Sequence, residues 1–174
     1  MSKLEMIRRL YEYHEWADDR LLEAASRAPE DVLSRDAPIP FGNAQDNLLH
    51  ILASQVSWLM RWTGESPKLA KLEPGSVVAG LRESYGWAHE RLRAYLGALS
   101  EEQVEAEVEF IDFEGDKPHD LRRPMWEMLL SVGSHGMSHR SEVAAVLTAA
   151  GFDPEQLDYS EFAWRKDLRS SAGA

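Results

Sequence analysis

The sequence predicts an all-α protein, a four-helix bundle with a small β-hairpin set before its last long helix. Three observations predict this class. Four long stretches repeat apolar side chains at the spacing of a buried helical face. Connections marked by proline and glycine separate them. One short segment, Val104 to Arg123, switches to the period of two that a half-exposed strand needs. Residues 1–168 are expected to form one domain, with 169–174 a frayed tail.

The first helix is expected from Lys3 to Ala28, where Pro29 ends it. Leu4, Ile7, Leu10, Tyr11, Leu21, Leu22 and Ala25 make its apolar stripe. His14 and Asp18 interrupt that stripe. Four apart, they either satisfy each other's hydrogen bonds or look together into a polar cavity. Pro38, Pro40 and Gly42 mark a connection, and Asn43 then caps a second helix, with Asp46 placed for a capping box. This helix runs to about Trp62. Leu48, Leu49, Ile51, Leu52, Val56, Leu59 and Met60 cover one face, and Asn43, Asn47, His50, Ser54, Ser57 and Arg61 line the other. By periodicity that second face is a solvated strip and His50 a surface residue. Alternatively the small polar residues line a wet cleft with His50 at its floor, and Trp58 and Trp62 wall it.

A connection from Gly64 to Gly75 leads to a third helix, about Ser76 to Leu99. Val78, Leu81, Tyr85, Ala88, Leu92, Tyr95 and Leu99 are its buried stripe. His89 falls at the margin among Glu90, Arg91 and Arg93 and reads as a boundary residue without chemistry. Ser100 and Gln103 form a capping box for one more short turn. In the hairpin, Glu105, Glu107 and Glu109 alternate with Ala106, Val108 and Phe110. Glu114-Gly115-Asp116 turns the chain, and Pro118 to Arg122 returns it. Pro124 suits the first turn of the last long helix. That helix, Trp126 to Ala150, is apolar nearly all round, so it is central or packs on a second subunit. Gly151 suits its C-terminal end. Asp153-Pro154 opens a final short turn ending near Trp164.

Composition excludes several classes. Hydrophobic residues make up 44% of the chain, enough for a well-supplied core, but no apolar run approaches the ~20 residues that span a bilayer. The opening Met1-Ser2-Lys3-Leu4-Glu5 lacks an apolar signal region, so a cytoplasmic location is expected. A net charge of -11 and no basic stripe argue against nucleic-acid or anionic-membrane partners. With no cysteine, any metal must be held by His, Asp or Glu.

The chemistry concentrates in Ser134-His135-Gly136-Met137-Ser138-His139-Arg140. On a helix, His135 and His139 are one turn apart and project their imidazoles the same way. Two imidazoles so placed can share a metal ion, and a third donor from a facing helix would leave open coordination positions. Two imidazoles and an arginine in so apolar a helix need partners. Gly136 either lets a substrate or a neighbouring helix approach closely or is merely tolerated in the helix.

Several ordered segments resemble the DinB/YfiT-like family of metal-dependent bundle proteins. They are Tyr13-His14-Glu15-Trp16-Ala17-Asp18, Leu49-His50-Ile51 with Trp58-Leu59, His135-Gly136-Met137-Ser138-His139-Arg140, and Gly151-Phe152-Asp153-Pro154 with Leu157-Asp158. The resemblance implies an up-down-down-up bundle, frequent homodimers, and a divalent metal held by three histidines, here His50, His135 and His139. Characterised relatives include thiol-dependent transferases and isomerases using mycothiol, bacillithiol or glutathione. Two positions depart from the family pattern: Ser141-Glu142 stands where Gly-Gln is frequent, and Asp18 where Asn is.

The expected function is therefore that of a metal-dependent enzyme. Zinc or nickel ranks first as the ion, ahead of iron, manganese and copper. Neutral ligands leave the ion's full charge free to acidify a bound water or low-molecular-weight thiol, for transfer to or hydrolysis of a small-molecule substrate. Between the two histidines there is no Glu, which argues against a zincin-type protease. Glu142, one turn beyond His139, is the candidate base or partner of a ligand, and otherwise an ion-pair residue. Trp58 and Asp18 are the candidate binding residues of the cleft. The rival reading is a non-catalytic, metal- or ligand-binding dimeric bundle.

Overall fold

The computed structural model describes residues 1–65, 77–114 and 116–172. The elements run α1 (Lys3–Arg27), α2 (Glu30–Leu33), α3 (Ala44–Thr63), α4 (Val77–Ala98), α5 (Glu101–Glu105), β1 (Glu107–Glu114), β2 (Lys117–Pro124), α6 (Met125–Ala149) and α7 (Tyr159–Ala172). Most of the connection expected between Gly64 and Gly75, the proposed helix start at Ser76, and Gly115 in the hairpin turn lie outside the described residues.

Local chemistry sets the helix ends. Asn43 caps α3 by accepting from the Asp46 backbone N–H at 2.8 Å. Asp46 answers the Asn43 side-chain amide rather than its backbone, so the expected box closes differently. Ser100 and Gln103 form the full reciprocal box on α5. At the end of α6, Gly151 adopts a left-handed φ of 87°. Its N–H reaches the Thr148 carbonyl and that of Phe152 reaches Leu147, which satisfies carbonyls the helix itself cannot pair. β1 and β2 pair antiparallel from Glu107↔Pro124 to Glu114↔Lys117. Helix α7 is longer than the short turn expected near Trp164; Phe162 anchors it in a small aromatic cluster with Tyr13 and Trp16.

Cross-helix contacts give the direction of each long helix. Tyr11 reaches Leu129 and Asp18 reaches Arg140, so α1 and α6 run parallel. Arg8 reaches Leu96 and Asp18 reaches His89, so α4 runs opposite to α1. Tyr85 bonds Leu48 while Tyr95 stacks on Trp62, which makes α3 and α4 parallel. The topology is up-down-down-up. Helices α1 and α3 each pack on both α4 and α6 and occupy opposite corners.

Two apolar clusters fill the bundle. One gathers Leu21, Leu48, Ile51, Leu81, Val143 and Leu147; the other gathers Leu4, Leu59, Leu92, Leu96, Val104 and Leu129. Between them lies a polar layer of His14, Asp18, Gln55, His89 and Arg140, all buried. His89 is not the boundary residue its charged neighbours predict but part of this buried layer. Its ring turns inward because Asp18 accepts from its Nε2 at 3.1 Å. Helix α6 supplies both interior and exterior apolar surface: Leu129 and Val132 are buried, whereas Leu130 and Met137 are exposed.

Candidate metal centre

The site lies where α3 and α6 run antiparallel. The solvated-looking strip of α3 faces α6, and His50 meets His135 with the two Nε2 atoms 2.9 Å apart. One potential ligand atom from each of His50, His135 and His139 lies within 4.8 Å of the other two. His135 and His139 project from adjacent turns of α6, with ring centroids 4.5 Å apart. Burial, and after it the neighbouring histidines, push the pKa values of His50 and His135 below the ordinary value. Neutral imidazoles present lone pairs, as metal ligands must.

His139 is oriented from behind. Its Nδ1 lies 2.7 Å from Glu142 Oε2 and 3.2 Å from Asn47 Oδ1. Both oxygens accept, so Nδ1 carries the proton and Nε2 is left for the cluster. The Asn47 amide is itself fixed: its Nδ2 donates to the Asn43 carbonyl at 2.8 Å and to the Pro40 carbonyl. Asn47 is fully buried. It therefore ties His139 to the loop before α3.

That loop carries Phe41, a non-glycine residue with φ of 62°. Its ring stacks on His50 with centroids 3.9 Å apart and 25° between planes, and meets His139 edge-on at 5.6 Å. A left-handed backbone is costly for a phenylalanine and persists where surrounding contacts hold it. Gly42, at φ 79°, continues the turn.

The other candidate residues lie further off. Trp58 sits two turns along α3 from His50, in an aromatic group with Trp62 and Phe110, and Arg61 lies over its ring at 4.7 Å. Asp18 lies in the polar layer rather than in the cleft, 1% exposed. It accepts from Arg140 Nη1 at 2.8 Å, from Gln55 Nε2 at 3.1 Å and from His89. Burial raises its carboxyl pKa, but Arg140 and His89 outweigh that and hold it down at about 2. His14 and Asp18 do not form the mutual pair considered from their spacing; Arg140 stands between them and bonds both. The room for Arg140 comes from Gly136, where a Cβ would lie 3.2 Å from Nη1.

A family model described as the DinB family matches residues 1–170. The chain belongs to the DinB family. Protein DinB of Bacillus subtilis (strain 168) is 20% identical to it over 159 residues, which cover 87% of this chain and 90% of that protein. Within this DinB-family bundle, the three-histidine cluster is a group that could hold a metal ion. No described helix is long and apolar enough to cross a membrane. Phe41 and the clamping role of Asn47 were not singled out from the sequence. The signal for Asn47 was its place on the strip one turn before His50; Phe41 left none beyond its neighbouring prolines and glycine.

Proposed function

We propose that this chain is a metal-dependent enzyme in which His50, His135 and His139 hold a divalent ion, zinc or nickel before iron, manganese or copper. The reaction is transfer to, or hydrolysis of, a small-molecule substrate by a low-molecular-weight thiol or water. The observation that carries this reading is the convergence of three imidazoles from two helices, one with its far nitrogen committed to a carboxylate. Donor chemistry fits: three neutral nitrogens suit these ions, and fewer ligands than a closed structural site leave room for a substrate atom. A bound ion would supply a positive charge that acidifies a thiol or water at neutral pH.

The chain's own residues then have distinct tasks. Glu142 and Asn47 hold His139 in one tautomer and one orientation, so Glu142 acts as a positioning residue through its histidine. Phe41 packs on His50 and shields it on the loop side. Trp58 walls the far end of the strip beyond Ser54 and Ser57. Asp18 serves from inside the bundle by holding Arg140, the residue that follows His139. The exposed apolar face of α6, with Leu130 and Met137 one above the other, together with Met6 of α1, supports a homodimer. Sedimentation of the purified protein tests that assembly, and a monomer at micromolar concentration refutes it.

Elemental analysis of the purified protein and of His50→Ala, His135→Ala and His139→Ala tests the centre. Wild type should carry a metal that each variant loses. Equal metal in all four would falsify the site. Metal-dependent consumption of a thiol together with an electrophile then tests for an enzyme. Metal content without thiol turnover or hydrolysis leaves the non-catalytic binding bundle.

A further inference from the structure

Two of the buried polar atoms without a hydrogen-bond partner among the described residues belong to residues lining one cavity in the polar layer. They are Nε2 of His14 and Oε1 of Gln55, on residues 4% and 6% exposed. Neighbours fix the chemistry of each. An arginine can only donate, so His14 Nδ1, which faces Arg140 Nη2, accepts, and the ring proton sits on Nε2. Burial, and after it the Arg140 charge, keep this ring neutral, with its pKa pushed down to about 3. Gln55 spends its Nε2 on Asp18, which leaves Oε1 an acceptor. The two residues that line this small cavity thus carry one donor and one acceptor unpaired among the described residues.

The cavity is walled by Tyr11, His89, Gly133 and Arg140 in addition to these two residues. It offers the centre of a water-sized sphere about 20 Å³. On that measure a water needs about 10–15 Å³. Gly133 makes room for the His14 ring at the cavity wall, because a Cβ at that position would collide with His14 Nε2. The size excludes any substrate of several atoms. An anion would meet the Gln55 oxygen unfavourably, and a cation would meet the His14 N–H and the Arg140 guanidinium. One heavy atom that both accepts and donates completes the set.

We propose that this cavity is a binding site for a single internal water, which accepts from His14 Nε2–H and donates to Gln55 Oε1. Glu15 and Arg93 also line the cavity and pair with each other at 3.0 Å between α1 and α4, so the water exchanges by way of that ion pair. With its Nε2 satisfied, His14 keeps Nδ1 turned to Arg140. The water is thereby part of the support of α6, independent of what the histidine cluster holds.

Oxygen-17 relaxation dispersion on the folded protein counts long-lived internal waters, and Gln55→Leu should lose one. Nitrogen-15 spectra of the wild type at neutral pH should show His14 as the neutral Nε2–H tautomer, a readout that needs no variant. Arg93→Ala should shorten the water's residence time. An Nδ1–H or protonated His14, an unchanged water count in a folded Gln55→Leu, or a high-resolution crystal structure with the cavity dry or holding an anion would each overturn the site. An unaltered residence time in Arg93→Ala overturns the exchange route.

Discussion

Asp18→Ala tests the polar layer most directly. The carboxylate is 1% exposed and is shared by Arg140, His89 and Gln55, and Arg140 itself is 2% exposed. Removing Asp18 leaves a guanidinium in the middle of the bundle with no counter-charge. The expected loss is about 3–5 kcal/mol, a large part of the roughly 5–15 kcal/mol that holds a domain folded. At about 2–4 °C per kcal/mol for a chain of this size, Tm should fall by about 6–20 °C. Replacing both partners with apolar residues, Asp18→Leu with Arg140→Met, removes the stranded charge as well as the pair. The double variant should therefore lose much less than the sum of Asp18→Leu and Arg140→Met, with a coupling of about 2–3 kcal/mol. Urea unfolding followed by circular dichroism measures all of these. An Asp18→Ala loss under about 1 kcal/mol, or strict additivity in the cycle, refutes the reasoning.

Stability should fall on acidification, beginning near the ordinary histidine range. His14 titrates at about 3 when folded against 6.5 when free, so between those values the unfolded chain binds more protons. That stability is complete above about pH 6.5 and is lost at up to about 1.4 kcal/mol per pH unit as pH falls towards 3. Asp18, held at about 2 against an ordinary 3.8, adds a loss of the same sign below about pH 4. Urea midpoints across this range should give a shallower slope between pH 6.5 and 4 for His14→Phe than for wild type; parallel slopes count against a buried neutral His14. Zinc or nickel at a hundred times its Kd should stabilise wild type by about 2.7 kcal/mol, and His135→Ala by far less. Equal thermal shifts in the two proteins would exclude the cluster as the binding site. Glu142→Gln and Asn47→Leu should each weaken metal affinity by about 10–100-fold in chelator competition, because both orient His139. Wild-type affinity in both variants would mean that His139 needs neither.

Where a residue's role followed from repetition along the chain, the sequence was readable. The helical stripes, the caps at Asn43, Ser100 and Gly151, the alternating hairpin strand and the His135–His139 spacing all express a local period or a local bond. His50 shows the limit of that reading. A side chain lining a cleft and one facing bulk water fall on the same polar face, so periodicity left both readings open, and only the family resemblance made His50 a metal ligand. His89 was misread because its partner, Asp18, lies 71 positions away and charged neighbours disguised its inward ring. Arg140 was recognisable as a cost needing compensation, but not the group that compensates it. Phe41 sits in a loop, where no period exists to betray a contact.

The ionic layer between the two apolar compartments also governs alignment. Leucines and valines on smooth faces tolerate displacement along the axis, and a one-turn slide of about 5.4 Å would still bury much of the same oil. Such a slide of α6 would carry Arg140 away from Asp18 and leave that carboxylate only its Gln55 and His89 partners, which makes the displaced state costly. The bundle has a keyed joint at mid-height, and the histidine that follows Ser138 sits one residue before the key. A three-histidine cluster assembled from two helices depends on that indexing, because a slip of one turn carries two of its three rings out of reach of the third.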